Sequence, residues 1–99
     1  MMARWFKANG TYLDVRPLHG ETFTLAELRC LVGGDIDIQI LPVSRSVLVL
    51  NGDGKLNGLP INAVASRLWC ANYPLETYTI NNDGLIVGDV LICDASLIA

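Results

Sequence analysis

Reactive side chains are scarce in this sequence. It has one histidine, His19, and three cysteines, Cys30, Cys70 and Cys93, without Cys-x-x-Cys spacing. An odd, unclustered set suggests neither a closed disulfide framework nor a zinc knuckle, and it fits a reducing cytoplasm. Charge is thin too. Charged residues make up 17% of the 99 positions, and ten acids against seven Lys and Arg leave a net charge of −3. That balance argues against holding a nucleic-acid backbone by counterion release, and it is a poor imitation of a polyphosphate. No apolar run has the length of a signal peptide or a membrane span. The longest, residues 85–93, is broken by Asp89 and suits a strand. The expectation is a soluble, unprocessed, cytoplasmic protein forming a single domain over 1–99, with no deep cleft, no nucleic-acid partner and no membrane partner.

What is present is mostly turn and cap chemistry. Asn9-Gly10 between residues 3–8 and 11–16 predicts a hairpin with a two-residue type I′ turn. Thr24 followed by Glu27, with Phe23 and Leu28 in staple positions, predicts a helix from Leu25 to about Val32. Gly33-Gly34 then ends it, and Leu25, Leu28 and Val32 form its expected buried stripe. Residues 35–41 alternate strictly. Ile36, Ile38 and Ile40 are expected to pack, while Asp35, Asp37 and Gln39 meet water or a partner. Residues 42–45 read as a turn into residues 46–51, a run apolar enough for a central strand.

Asn62 is placed to cap a second helix reaching about Ala71, with Ala65, Leu68 and Trp69 on one face. Residues 75–80 and 85–93 flank an Asn/Gly turn at 81–84, a third hairpin, and Gly88 marks a bulge or a close backbone approach. The order ββ-α-ββ-α-ββ predicts an α+β fold, a mainly antiparallel sheet with two helices on one face. The uncharged tail at 95–99 is expected to cover its own core.

Among the residues that could carry chemistry, His19 reads as a solvated loop histidine. The cysteines sit in apolar element patterns, a poor setting for a nucleophile. Asp35 and Asp37 share a strand face and could hold a hard cation, although exposed carboxylates there are usually just solvated. A calcium loop starting at Asn51 fails, because Lys55 takes its fifth position, Leu56 the place of its glycine and Asn62 its twelfth. The same Gly-rich stretch precedes a helix N-terminus. Lys55, Asn57, Gly58 and Asn62 could therefore surround a small anion received by backbone N–H groups. Loop ordering by Asn57 and capping by Asn62 are the simpler explanation. Arg4, Arg16, Arg29, Arg45 and Arg67 are scattered along the chain.

Several motifs occur together: Thr24-Leu-Ala-Glu-Leu28 with Val32-Gly-Gly34, Val49-Leu-Asn51, Gly54-Lys-Leu-Asn-Gly-Leu-Pro60 with Asn62 and Ala65, and Ile86-Val-Gly-Asp-Val-Leu-Ile92. Over about seventy residues this combination resembles a family of small domains of unknown function found in bacteriophages, mobile elements and their bacterial hosts. Asp53 fills an acidic place in the turn before Gly-Lys-Leu that family members often have. The hairpin before His19 and residues 73–80 lie outside the resemblance. It implies phage or mobile-element origin and a host-cytoplasm setting, and it brings no established reaction, cofactor or metal.

The leading expectation is a non-enzymatic binding module, an accessory protein acting on a host component, with inhibition of host defence as one concrete form. The alternative is a small-anion or nucleotide-binding protein using the loop at 52–62, with a homodimer supplying depth. Ligand-binding candidates are Lys55, Asn57, Gly58, Asn62 and Asp89, and no catalytic residue is assigned. A metal-dependent enzyme using Asp35, Asp37 or Asp89, and a purely structural homodimer, are the remaining readings.

Overall fold

Two short β-prone runs meet at Asn9-Gly10 and pair as β1 (Ala3–Phe6) and β2 (Tyr12–Val15), antiparallel, in a computed structural model that describes residues 3–73 and 85–98. The connection is not the expected two-residue turn. The Gly10 N–H donates to the Lys7 carbonyl at 3.0 Å and the Lys7 N–H to the Thr11 carbonyl at 2.8 Å, which leaves a three-residue loop. Gly10 alone in the loop takes a positive φ, 94°. Asn9 keeps ordinary backbone and uses its carboxamide oxygen to accept from the Thr11 N–H and hydroxyl, so a turn closed by a left-handed glycine replaces type I′.

α1 (Leu25–Val32) starts as its sequence predicts. Thr24 accepts the Glu27 N–H, Glu27 accepts the Thr24 N–H, and the staple residues Phe23 and Leu28 are both buried. Gly33 ends it at φ 80°. Leu25 is exposed rather than part of the stripe, because Phe23 already fills the core at that end and the buried face begins at Leu28.

β3 (Ile36–Leu41) and β4 (Ser46–Asn51) form the second hairpin, and β5 (Val90–Cys93) inserts between β4 and β1. The sheet is antiparallel, in the order β2-β1-β5-β4-β3. α2 (Ala63–Asn72) lies between β4 and β5 in sequence. The described elements therefore run ββαββαβ. The other strand of the third expected hairpin, 75–80, and its turn at 81–84 lie outside the described residues.

The two helices occupy opposite faces of the sheet, not one. α1 packs with Val47, Val49, Leu91 and Cys93, whereas Ala65 and Trp69 of α2 pack with Leu48 and Val90. The cause lies in β4 and β5. Val47-Leu48-Val49-Leu50 and Val90-Leu91-Ile92-Cys93 are apolar at every position, so both faces of the central strands need cover. Phe6 joins the α2 side and Trp5 the α1 side, with the Trp5 indole N–H donating to the Leu31 carbonyl at 2.9 Å.

On α2, Trp69 is buried as expected and stacks on Tyr73 at 4.6 Å. Leu68 is partly exposed, its expected place on the buried face taken by Ser66 and Asn72. The last strand is shorter than residues 85–93, since residues 85–89 hold only an isolated bridge between Ile61 and Val87. Gly88 is the close approach its sequence suggests. Its φ is 77°, and a Cβ there would stand 2.8 Å from Leu59 Cδ1. The tail forms one 3-10 turn (Ala95–Leu97), and Leu97 and Ile98 pack against the α1-side core. No helix among the described residues is long and apolar enough to cross a membrane.

The isoleucine row of β3 departs most from expectation. Ile36 is half-buried, but Ile38 and Ile40 are 40% and 65% exposed. Alternation does place them on the α1 face, opposite Val49 and Val47. The eight-residue α1 packs mainly over β4 and β5 and leaves the outer strand uncovered beyond Ile36.

Candidate functional site

The Gly-rich loop begins at Asn51, whose carboxamide accepts the Asp53 N–H at 2.9 Å and donates to the Val32 carbonyl at the end of α1. Beyond it the chain coils back on itself. Gly52 donates to Asp35, Gly54 to Asn51, Asn57 to Asp53, Gly58 to Lys55 and Leu59 to Gly54, all backbone to backbone. An anion cradle needs such N–H groups turned outward. Here most of them are committed, Gly52 to Asp35 and the others named to the loop's own turns. At the α2 N-terminus, the Ala65 N–H is taken by the Asn62 side chain and the Ser66 N–H by the Asn62 carbonyl.

Asn62 is the centre of a buried joint. Its Nδ2 donates to the Phe6 and Gly88 carbonyls, each at 3.0 Å, while its own N–H donates to the Ile86 carbonyl at 2.8 Å. Ser66 completes the joint. Its hydroxyl donates to the Asn62 carbonyl at 2.8 Å, lies 3.2 Å from the Ile86 carbonyl, and accepts the Ile86 N–H at 2.8 Å. The Gly88 N–H donates to the Pro60 carbonyl at 2.7 Å, and the Asp89 carboxylate accepts the Ala8 N–H at 2.9 Å. These contacts tie the Gly-rich loop, the approach to β5 and the first hairpin together. Ser66 drew no notice in the sequence, where a serine in a first helical turn is unremarkable; its signal is burial one turn beyond a capping asparagine.

The motif residues thus meet as architecture. A family model for a domain of unknown function, DUF3846, matches residues 7–96. The chain belongs to the DUF3846 family. The match takes in the first hairpin from its turn onward, without β1, and residues 73–80, both of which the motif resemblance left out. No curated protein and no solved structure matches the chain.

Within the DUF3846 fold the five candidate ligand residues do not share a cavity. Lys55 lines one of about 300 Å³ on the α2 side, beside Asp37, Gln39 and Trp69. Asp89 lines another of about 320 Å³ on the α1 side, with Trp5, Cys30 and Pro60. Asn57 and Gly58 stand exposed at the loop tip, and Asn62 is buried and lines neither cavity. Asp35 and Asp37 are exposed but separately engaged, Asp35 3.6 Å from the Arg29 guanidinium and Asp37 accepting the Ile38 N–H at 2.9 Å. Among the described residues no group of three His, Cys, Asp or Glu side chains is placed to hold a metal ion.

The cysteines divide. Cys93 is buried, and that burial, helped by the Asp94 charge, pushes its thiol up to about 11, well away from thiolate chemistry at neutral pH. Cys30, expected inside an apolar pattern, is exposed on the outer side of α1. His19 is exposed in its loop.

Proposed function

We propose that this DUF3846 domain is a non-enzymatic binding module, an accessory protein of a phage or mobile element that engages a host protein, with inhibition of host defence as its concrete form. The observation that carries the binding role is the uncovered apolar row of β3. Ile38 and Ile40 lie on the strand that ends the sheet among the described residues, and Val43, in the turn that follows it, is 75% exposed. Large apolar side chains gathered in water commonly mark a protein contact. Asp35, exposed just before β3, adds a carboxylate at the near end of the row and favours a partner that sets Lys or Arg beside an apolar anchor. A second copy, with the same net charge of −3, would bring like charge against like. Phage or mobile-element origin rests on the motif resemblance alone.

The strand is also protected against indiscriminate pairing. Asp37 covers the Ile38 N–H, and the Tyr73 hydroxyl donates to the Ile40 carbonyl. A partner that engages the side-chain row need not disturb either bond. Ile40→Glu tests this, since a surface change of this kind should alter folding stability by no more than about 0.5 kcal/mol. Wild type is expected to retain a host protein from lysate with hydrogen-exchange protection over residues 36–43, and Ile40→Glu is expected to lose it. Equal capture by both forms, protection elsewhere, or a homodimer built on β3 would overturn the reading.

A further inference from the structure

A third cavity, of about 350 Å³, lies on the α2 face between the β3–β4 turn, β1 and the exposed side of α2. Arg4 and Arg45, far apart in sequence, both line it. Arg45 has φ 53°, left-handed backbone that no other non-glycine residue adopts among those described. Such strain persists where the surroundings over-determine it. Asn72 supplies that constraint. Its buried carboxamide accepts the Val43 and Ser44 N–H groups at 2.8 and 3.0 Å and donates to the Ser44 hydroxyl and the Leu68 carbonyl. The turn is clamped to α2, and Arg45 is held beside the cavity with no hydrogen bond or ion pair to its guanidinium among the described residues.

Arg4 is fixed by other means. Its Nε donates to Asp14 at 2.9 Å and its guanidinium lies 4.9 Å from the centre of the Tyr12 ring, so the side chain is ordered while its terminal nitrogens enter no ion pair among the described residues. Next to Arg45, the Ser46 hydroxyl is buried without a hydrogen-bond partner, and buried polar atoms are rarely left so unless something absent satisfies them. Phe6, Leu68 and Ile92 make the apolar part of the wall, and Asp94 adds one acceptor.

We infer that this cavity binds a small organic anion, a phosphomonoester or a carboxylate. Its acidic group lies between Arg4 and Arg45, and its apolar body rests on Phe6, Leu68 and Ile92. The Ser46 hydroxyl turns about χ1 to donate to it, and a hydroxyl or amine on the ligand meets Asp94. Fixed guanidiniums suit both anions because their planar donors match paired oxygens. The site is on the opposite sheet face from the isoleucine row and does not depend on it.

The test is an amide NMR titration of the full chain with adenosine 5′-monophosphate, N-acetylphenylalanine and inorganic phosphate as separate probes. Saturable shifts at residues 44–46 and Arg4 are expected from at least one organic probe, more tightly than from inorganic phosphate, and the tighter organic probe identifies the anion class. Arg45→Asn, which tolerates left-handed backbone, should weaken binding about tenfold or more, and Ser46→Ala should weaken it without unfolding the chain. Absence of saturation by either organic probe at about 10 mM, unchanged affinity in Arg45→Asn or in Ser46→Ala, or shifts centred on the Gly-rich loop would each overturn the inference.

Discussion

The joint around Asn62 and the cavity beside Arg45 are both polar, and they have opposite fates. In the joint, donors and acceptors from three chain segments find one another: Asn62 with Phe6, Ala65 and Gly88, and Ser66 with Ile86. At the cavity, a guanidinium and a buried hydroxyl are left over. The difference separates sequence prominence from availability. The Gly-Lys-Leu-x-Gly-Leu-Pro-x-Asn run is conspicuous because it builds a joint, and its Asn62 side chain and several of its backbone groups are already engaged. Arg4, Arg45 and Ser46 are inconspicuous, and they are the ones with capacity to spare.

The sharpest way to break this contrast is Asn62→Ala. It removes an N-cap and takes the side-chain donor away from the Phe6 and Gly88 carbonyls, a loss of about 3 kcal/mol in urea unfolding and a fall in Tm on the order of 15 °C. Unchanged stability would return Asn62 to the list of available groups. Gly88→Ala should cost about 2 kcal/mol, since Ala must adopt φ 77° and its Cβ would meet Leu59 Cδ1 at 2.8 Å. Gly58→Ala serves as its control. Gly58 also has positive φ, 67°, but a Cβ there meets nothing within 4 Å, so about 1 kcal/mol is expected. Equal losses at the two glycines would show that the joint is looser than its contacts imply.

Ser46→Ala tests the other side of the comparison. With no hydrogen bond to lose, it should stabilise the ligand-free chain by up to about 1 kcal/mol, read as a rise in the urea midpoint at constant slope. A clear destabilisation would mean that the hydroxyl is engaged after all.

How much of this was readable in advance follows from what local patterns encode. Thr24, Glu27 and Gly33 define α1 because caps act within a few residues, and the Asn62 cap was visible for the same reason. Val47-Leu48-Val49-Leu50 already marked a central strand, and a strand apolar on both faces implies cover on both. An arrangement with both helices on one face conflicts with that implication, and the helices lie on opposite faces. Alternation in β3 correctly grouped Ile36, Ile38 and Ile40, but which strands a helix covers depends on its length and docking, and α1 covers the outer strand only at Ile36. Of the site candidates, Asn62 and Asp89 became structural ties and Lys55 entered a different cavity from Asp89. The convergence of Arg4 with Arg45 depends on β5 entering between β1 and β4, a long-range pairing that no local motif encodes.

The smallest expected effect concerns a polar group that is engaged yet lies in water. The Glu27 carboxylate accepts N–H groups from Leu18 and Thr24, and those bonds hold it below the usual carboxylate range. A carboxyl group whose folded value is lowered stabilises the fold above its unfolded value, near pH 4.5. That contribution fades as the pH falls through the folded value. Glu27→Gln keeps one oxygen acceptor and loses the charge, so its Tm should lie slightly below that of wild type at pH 7 and converge with it below about pH 4.5. Thermal melts from pH 7 down to 3 check the sign. A gap that stays constant across that range would assign the effect to geometry rather than charge. The box would then work as the Asn62 cap does, by oriented hydrogen bonds alone, and the distinction between the exposed and the buried helix start would reduce to solvent access.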